Sequence, residues 1–114
     1  MFKRLFDTKG SIASITVQEA WERVKAPKTT TMIIDVRETW EYKQGHARGA
    51  QNIPLSQLGK RINEIPVDRD ILLICRSGNR SLQAAKFLQQ QHVERVMNVS
   101  GGMSSWEMHR LPVE

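Results

Sequence analysis

The sequence predicts an α/β domain of three layers, a mostly parallel sheet of about five strands flanked by helices. Three observations carry that prediction. Short β-branched apolar runs alternate with helix-periodic segments, giving a β-α-β-α order along the chain. The two best strands, "TMIIDVR" (31–37) and "DILLIC" (70–75), have no polar alternation, so both of their faces must be covered. The chain has 114 residues, 39% apolar and 25% charged, which suits one globular domain with a single core and excludes a disordered chain.

The elements follow in order. A weakly signalled strand at 14–15 precedes "TVQEAWERVKA", where Thr16 and Glu19 stand at capping-box spacing. Val17, Ala20, Trp21 and Val24 give that helix one apolar face, and Pro27 ends it. After the strand at 31–37, "ETWEYKQG" reads as a short helix stopped at Gly45. A turn and a short strand at 50–53 come next. Ser56 is placed to cap a helix in "SQLGKRINEI", although Gly59 weakens it. The strand at 70–75 and the helix at 80–91, with Leu82, Ala85, Phe87 and Leu88 as its apolar stripe, are the clearest pair. "RVMNVSGG" supplies a last strand and "MSSWEMHRL" a last helix, with Trp106 as core packing. Residues 1–10, "MFKRLFDTKG", read as an apolar and basic leader, and 11–114 as the domain.

Composition narrows the function. A single cysteine forms no internal disulfide, and three scattered histidines with it build no Cys-rich zinc site, so no metal is expected. The cytoplasm is the simplest compartment. The leader lacks the apolar core and cleavage site of a signal peptide, and no stretch reaches the length of a membrane span. The formal charge of +5 is compatible with attraction of small anions, but no dense Lys/Arg block or aromatic–basic interleaving points to nucleic acid.

The chemistry concentrates in "CRSGNRS", Cys75 to Ser81. In a parallel sheet, ligands bind beyond the carboxyl ends of the strands, and Cys75 closes the best strand. A cysteine after an apolar strand is ordinarily a small buried hydrophobe. A merely connective loop, however, has little reason to combine two arginines, a glycine and small polar residues. Gly78 permits unusual backbone conformations, successive N–H groups can form an anion-binding concavity, and the following helix adds its positive end. A thiolate there is favoured, so Cys75 is expected to be an activated nucleophile with no need of a histidine base.

Three pieces of sequence, spaced over residues 12–111, resemble one known family. They are "IIDVRETWEYKQGHARGAQNIP", with its Asp-x-Arg and a later Gly-His, "CRSGNRS", and the Gly-Gly and the Trp of "SGGMSSW". Together they resemble a single-domain rhodanese, a sulfurtransferase. "HARGA" departs from the family's commoner Gly-His-Ile-Pro-Gly-Ala at Ala47 and Arg48, which implies a local change in that turn.

The resemblance implies a rhodanese-like fold and transfer of sulfane sulfur through a Cys75 persulfide, from a donor such as thiosulfate to cyanide or a thiol, with no cofactor. Arg76, Ser77, Gly78, Asn79 and Arg80 would cradle the sulfur by their N–H groups, with Ser81 next in line. Arg76 is expected to face the entrance and attract an anionic donor; Arg80 would do the same or brace the loop against a carboxylate. Asp35 is expected to hold loop backbone or an arginine, with Arg37 and Glu38 shaping the pocket rim. His46 is expected to be a satisfied turn residue, and Trp40 and Tyr42 to be partly exposed nearby.

Two other readings stand beside enzyme catalysis. One is a persulfide carrier serving a partner in a sulfur relay. The other is a phosphatase of the structurally similar Cdc25 type. Those phosphatases carry Cys-x5-Arg, whereas Cys75-x4-Arg80 is one residue shorter, which implies a cradle sized for sulfur and not phosphate.

Overall fold

A computed structural model describes residues 11–114, so the leader expected at 1–10 lies outside the described residues. Five parallel strands form the sheet: β1 (Ala13–Ile15), β2 (Thr31–Asp35), β3 (Gln51–Asn52), β4 (Asp70–Ile74) and β5 (Val96–Val99). Their spatial order is β1-β5-β4-β2-β3, with β4 at the centre. Thr31 to Asp35 pair in register with Asp70 to Ile74. The helices are α1 (Val17–Val24), α2 (Thr39–Lys43), α3 (Asn79–Gln90) and α4 (Gly102–Met108).

The sheet's apolar residues divide between its two faces, as the strand pleat requires. Ile34, Ile71 and Leu73 pack with Ala84, Ala85 and Leu88 of α3. Ile33, Leu72 and Ile74 pack with Ala20 of α1 and Met103 and Trp106 of α4. This explains the unbroken apolar runs of β2 and β4: neither face has water to meet. Trp106 is fully buried, meets Trp21 edge-on with centroids 6.2 Å apart, and donates its indole N–H to Pro112 O at 2.8 Å. At the start of α1, Glu19 N–H donates to Thr16 Oγ1 and Thr16 N–H to Glu19 Oε1, the reciprocal cap expected from their spacing.

Three expectations change. "SQLGKRINEI" forms two short 3-10 turns, Leu55–Gln57 and Ile62–Glu64, and not a helix capped by Ser56; Pro54 takes the cap position. Gly59 lies between the turns, where helix costs about 1 kcal/mol relative to alanine. β2 stops at Asp35 instead of continuing to Arg37, because the Asp35 carboxylate takes the Arg37 N–H at 3.0 Å and turns the chain out of the ladder. β3 is two residues long, shorter than the expected 50–53.

The departure at Ala47 and Arg48 has a local reason. Ala47 forms an antiparallel bridge with Val113, and Arg48 N–H donates to Pro112 O at 3.0 Å. A proline at 48 would have no N–H to give. His46 completes the same turn, its Nδ1 2.9 Å from Tyr42 O and its ring stacked on that of Tyr42.

The end of β2 is held by a buried ion pair. Arg37 Nε and Nη2 grip both oxygens of Asp35 at 2.8–3.1 Å, both side chains are fully buried, and Nη2 also donates to Gly45 O after α2. Asn52 Nδ2 of β3 donates to Asp35 O and Arg37 O. Removing one partner strands the other charge in a dry site. Asp35→Ala is therefore expected to lower unfolding free energy by about 3–5 kcal/mol in urea titration, and a loss below about 1 kcal/mol would contradict this account.

Candidate active site

The carboxyl ends of β2, β4 and β5 meet at one edge, and the loop from β4 to α3 runs across it. Cys75 directly follows β4 and is 1% exposed. Gly78 N–H donates to Cys75 Sγ at 3.1 Å and Ser81 N–H at 3.3 Å, and the Ser81 hydroxyl lies 3.3 Å away. The backbone folds around the sulfur because Gly78, at φ 109°, takes a left-handed conformation just ahead of α3. Asn79 and Arg80 open the helix, so their N–H groups have no acceptor within it.

Burial pushes the Cys75 thiol pKa up. Hydrogen bonds from the Ser81 hydroxyl and the N–H groups of Ser81, Gly78 and Ser77 push it down and prevail, leaving it below the ordinary value. Direction matters at Ser81, whose hydroxyl has one hydrogen. Ser81 Oγ lies 2.6 Å from Asn98 Oδ1 on β5. With its hydrogen on Asn98, Ser81 can only accept from a neutral Cys75 thiol. With the Asn98 amide turned so that Nδ2 donates to Ser81, the hydroxyl hydrogen is free for a thiolate. Asn98 can serve both protonation states because an amide carries a donor and an acceptor.

The loop is fixed from behind by α4. Met103 N–H donates to Cys75 O at 2.7 Å and Ser104 N–H to Arg76 O at 3.0 Å. That approach requires Gly102: a Cβ there would lie 2.3 Å from Cys75 O, and the residue has φ 54°. The second glycine of "SGGMSSW" thus lets one backbone press against another.

Each loop arginine meets a carboxylate from a flanking helix. Arg80 binds Glu41 of α2 through two bonds, at 2.7 and 3.1 Å. The Arg80 hydrogen bonds overcome partial burial and hold the Glu41 carboxyl down at about 2. Arg76, on the exposed side of the loop, makes a single contact of 3.1 Å with Glu107 of α4.

Of the residues singled out in sequence, Cys75, Ser77, Gly78 and Ser81 surround the sulfur, while the Arg76 and Arg80 side chains point to carboxylates. Asp35 holds Arg37 and lies beneath the edge. Arg37 is not at the rim; it is buried, because only there can it span Asp35 and Gly45 O. Glu38 is exposed and precedes α2, its N–H bonded to Glu41 Oε1. Trp40 is exposed and Tyr42 half-buried. Sequence reasoning missed Asn98, Glu41 and Glu107. Asn98 had a readable signal, a polar residue inside the apolar run "VMNV"; the two glutamates had none, since their partners lie 39 and 31 residues away. Three surface cavities of about 460, 540 and 380 Å³ lie elsewhere, and Cys75 borders none of them. Among the described residues no His/Cys/Asp/Glu group could hold a metal, and no helix is long and apolar enough to cross a membrane.

The site is thus a buried cysteine in a backbone cradle at the end of a central parallel strand. The family model for the rhodanese-like domain matches residues 16–109. The chain belongs to this family. A sulfurtransferase of Allochromatium vinosum is 42% identical over 82 residues, which cover 72% of this chain and 77% of that one. A Bacillus subtilis protein named as a candidate sulfur carrier, YrkF, is 36% identical over 88% of this chain, which spans about half of that protein's length (54%). Among solved structures, a rhodanese-related protein from Thermoplasma volcanium superposes with a TM-score of 0.80 at 32% identity, covering 90% of this chain and 97% of that one. The five parallel strands between helices are a rhodanese-like fold.

Two measurements check the electrostatics. Iodoacetamide alkylation of Cys75 should reach its half-maximal rate below the free-thiol value of about pH 8.5. Asn98→Asp offers Ser81 only acceptors and adds negative charge, so the midpoint should move up; an unchanged midpoint would refute the role given to Asn98. For Glu41, the carboxyl lies below its ordinary value of 4.5, so its contribution is complete above that pH and lost as pH falls toward about 2. The stability difference between wild type and Glu41→Gln, followed by urea unfolding, should be constant at neutral pH and shrink on acidification through that window. A difference that stays constant down to pH 2 would exclude the assignment.

Proposed function

We propose that the protein moves sulfane sulfur from a small anionic donor such as thiosulfate to a thiophilic acceptor, cyanide or a thiol, through a persulfide on Cys75. The observation that carries this reading is the convergence of the Gly78 and Ser81 N–H groups on Cys75 Sγ at the amino end of α3. In the first step the Cys75 thiolate attacks the outer sulfur of thiosulfate. A bond forms between the two sulfurs, the sulfur–sulfur bond of thiosulfate breaks, and its electron pair leaves with sulfite. The terminal persulfide sulfur carries the negative charge, and the Asn79 and Arg80 N–H groups, free of helix acceptors, suit it. In the second step the acceptor attacks that outer sulfur, and the electron pair of the broken bond returns to Cys75 as thiolate. Cyanide gives thiocyanate; a thiolate gives its own persulfide. The chemistry needs neither metal nor organic cofactor, and a reducing cytoplasm suits an exchangeable persulfide.

Roles follow from position. Cys75 is the nucleophile. Ser77, Gly78 and Ser81 stabilise its charge, and Arg76 receives the anionic donor. Arg80 braces the loop through Glu41. Asp35 and Arg37 support the edge from below, and Glu38 positions Glu41.

The second reading is a persulfide carrier loaded by a partner enzyme. The relationship to YrkF favours it. A Cdc25-type phosphatase is disfavoured: the loop is one residue shorter, and Arg80 is engaged by Glu41 instead of lying free for phosphate.

Intact mass measurement tests the assignment. Protein treated with thiosulfate should gain one sulfur atom and release sulfite, cyanide should remove that atom as thiocyanate, and Cys75→Ser should do neither. Loading by a persulfide-bearing protein but never by thiosulfate would establish the carrier reading instead. Hydrolysis of a phosphate ester through Cys75 would overturn both.

A further inference from the structure

The two arginines of the loop are held in physically different ways. Arg80 is held more firmly: its two bonds to Glu41 match the fork of a guanidinium to both oxygens of a carboxylate, and although 36% of the Arg80 side chain is exposed, only 14% of Glu41 is. Arg76 is tethered by one bond, with 44% of its own side chain and 49% of Glu107 exposed. Such an exposed pair is weakly held and exchanges readily with other ions. The backbone beneath Arg76 is not free to move with it, because Arg76 O is bound by Ser104 N–H. Only the side chain can swing. Its resting partner is an anion built into the protein, one residue before the end of α4.

We propose that Glu107 is a specificity-setting residue: an internal anion that occupies Arg76, the residue next to Cys75, and that an anionic donor must displace to bind Arg76. This inference rests on the reading of Cys75 as the reactive nucleophile. Glu107 touches no reacting atom and acts only through Arg76. It discriminates by charge, lowering the apparent affinity for weakly held anions while leaving neutral reagents unaffected. It also returns to Arg76 when a product anion such as sulfite leaves, which shortens that anion's stay. Glu41 differs, since two bonds and a mostly buried carboxylate hold Arg80 to it.

The test compares two alkylating agents of nearly equal size, iodoacetate, which is an anion, and iodoacetamide, which is neutral. Each forms a carbon–sulfur bond at the thiolate and expels iodide, and Cys75 is the only cysteine in the chain. The ratio of their rate constants cancels changes in thiolate reactivity and reports the charge seen by an arriving anion. In low salt, Glu107→Gln should raise the ratio about two- to fivefold, the range expected for losing one exposed ion pair, and high salt should abolish the rise. Arg76→Gln should lower the ratio, and Glu107→Gln added to Arg76→Gln should change it no further. Glu107→Asp should restore part of the wild-type ratio.

An unchanged ratio in Glu107→Gln overturns the proposal. So does an equal rise in the Arg76→Gln background, which would make Glu107 a general surface charge and not a competitor for Arg76. In sulfur transfer, Glu107→Gln should lower KM for thiosulfate by the same factor with little change in kcat. The alkylation ratio does not depend on sulfur transfer. A changed ratio without sulfur loading refutes the sulfurtransferase reading alone, and sulfur loading with a flat ratio refutes the role of Glu107 alone.

Discussion

A buried sulfur can carry negative charge only if hydrogen bonds replace the water it has lost. The Cys75 loop is built around that constraint. Gly78 turns left-handed so that its own N–H and that of Ser81 reach the sulfur, and α3 begins directly after it. The loop holds this shape because α4 binds the carbonyls of Cys75 and Arg76 from behind, through a contact that Gly102 alone among residue types leaves room for. The sheet contributes by bringing β2, β4 and β5 to one edge in parallel, so that the amino ends of two helices and the end of a central strand converge.

The support of that edge is graded. Deepest is the Asp35–Arg37 pair, dry and fully satisfied at the carboxylate, joining β2, β3 and the end of α2. Above it, Glu41 and Arg80 tie α2 to the start of α3 at partial burial. Outermost, Glu107 and Arg76 meet in water. Rigidity falls and exchangeability rises with exposure, since solvent competes for exposed ions and not for buried ones. The same residue types, arginine with carboxylate, serve as scaffold at one depth and as an exchangeable contact at another.

Much of the fold was legible because the signals were local. The apolar runs of β2 and β4 announced strands covered on both faces, Thr16 and Glu19 announced a cap, and Gly45 announced the end of α2. The segment from Ser56 to Ile65 misled because Ser56 offers a cap, while Gly59, a weakness visible in the sequence, falls where the chain breaks into two short 3-10 turns. Arg37 misled in the same way: a charged residue after a strand reads as surface, and only the fold puts a carboxylate and a carbonyl where they can bury it.

The sequence by itself determined the α/β class, the order of elements, and the loop that carries the chemistry, since each depends on residues close together in the chain. It also determined the loop's length, four residues between Cys75 and Arg80. Only the tertiary structure decided which arginine is braced and which is exchangeable, that Asn98 completes the hydrogen bonds of Ser81, and that Gly102 admits the backbone behind the cysteine. Those outcomes depend on partners from separate elements of the fold. Distance, burial and donor direction between them do not exist until the sheet has brought the elements to one edge.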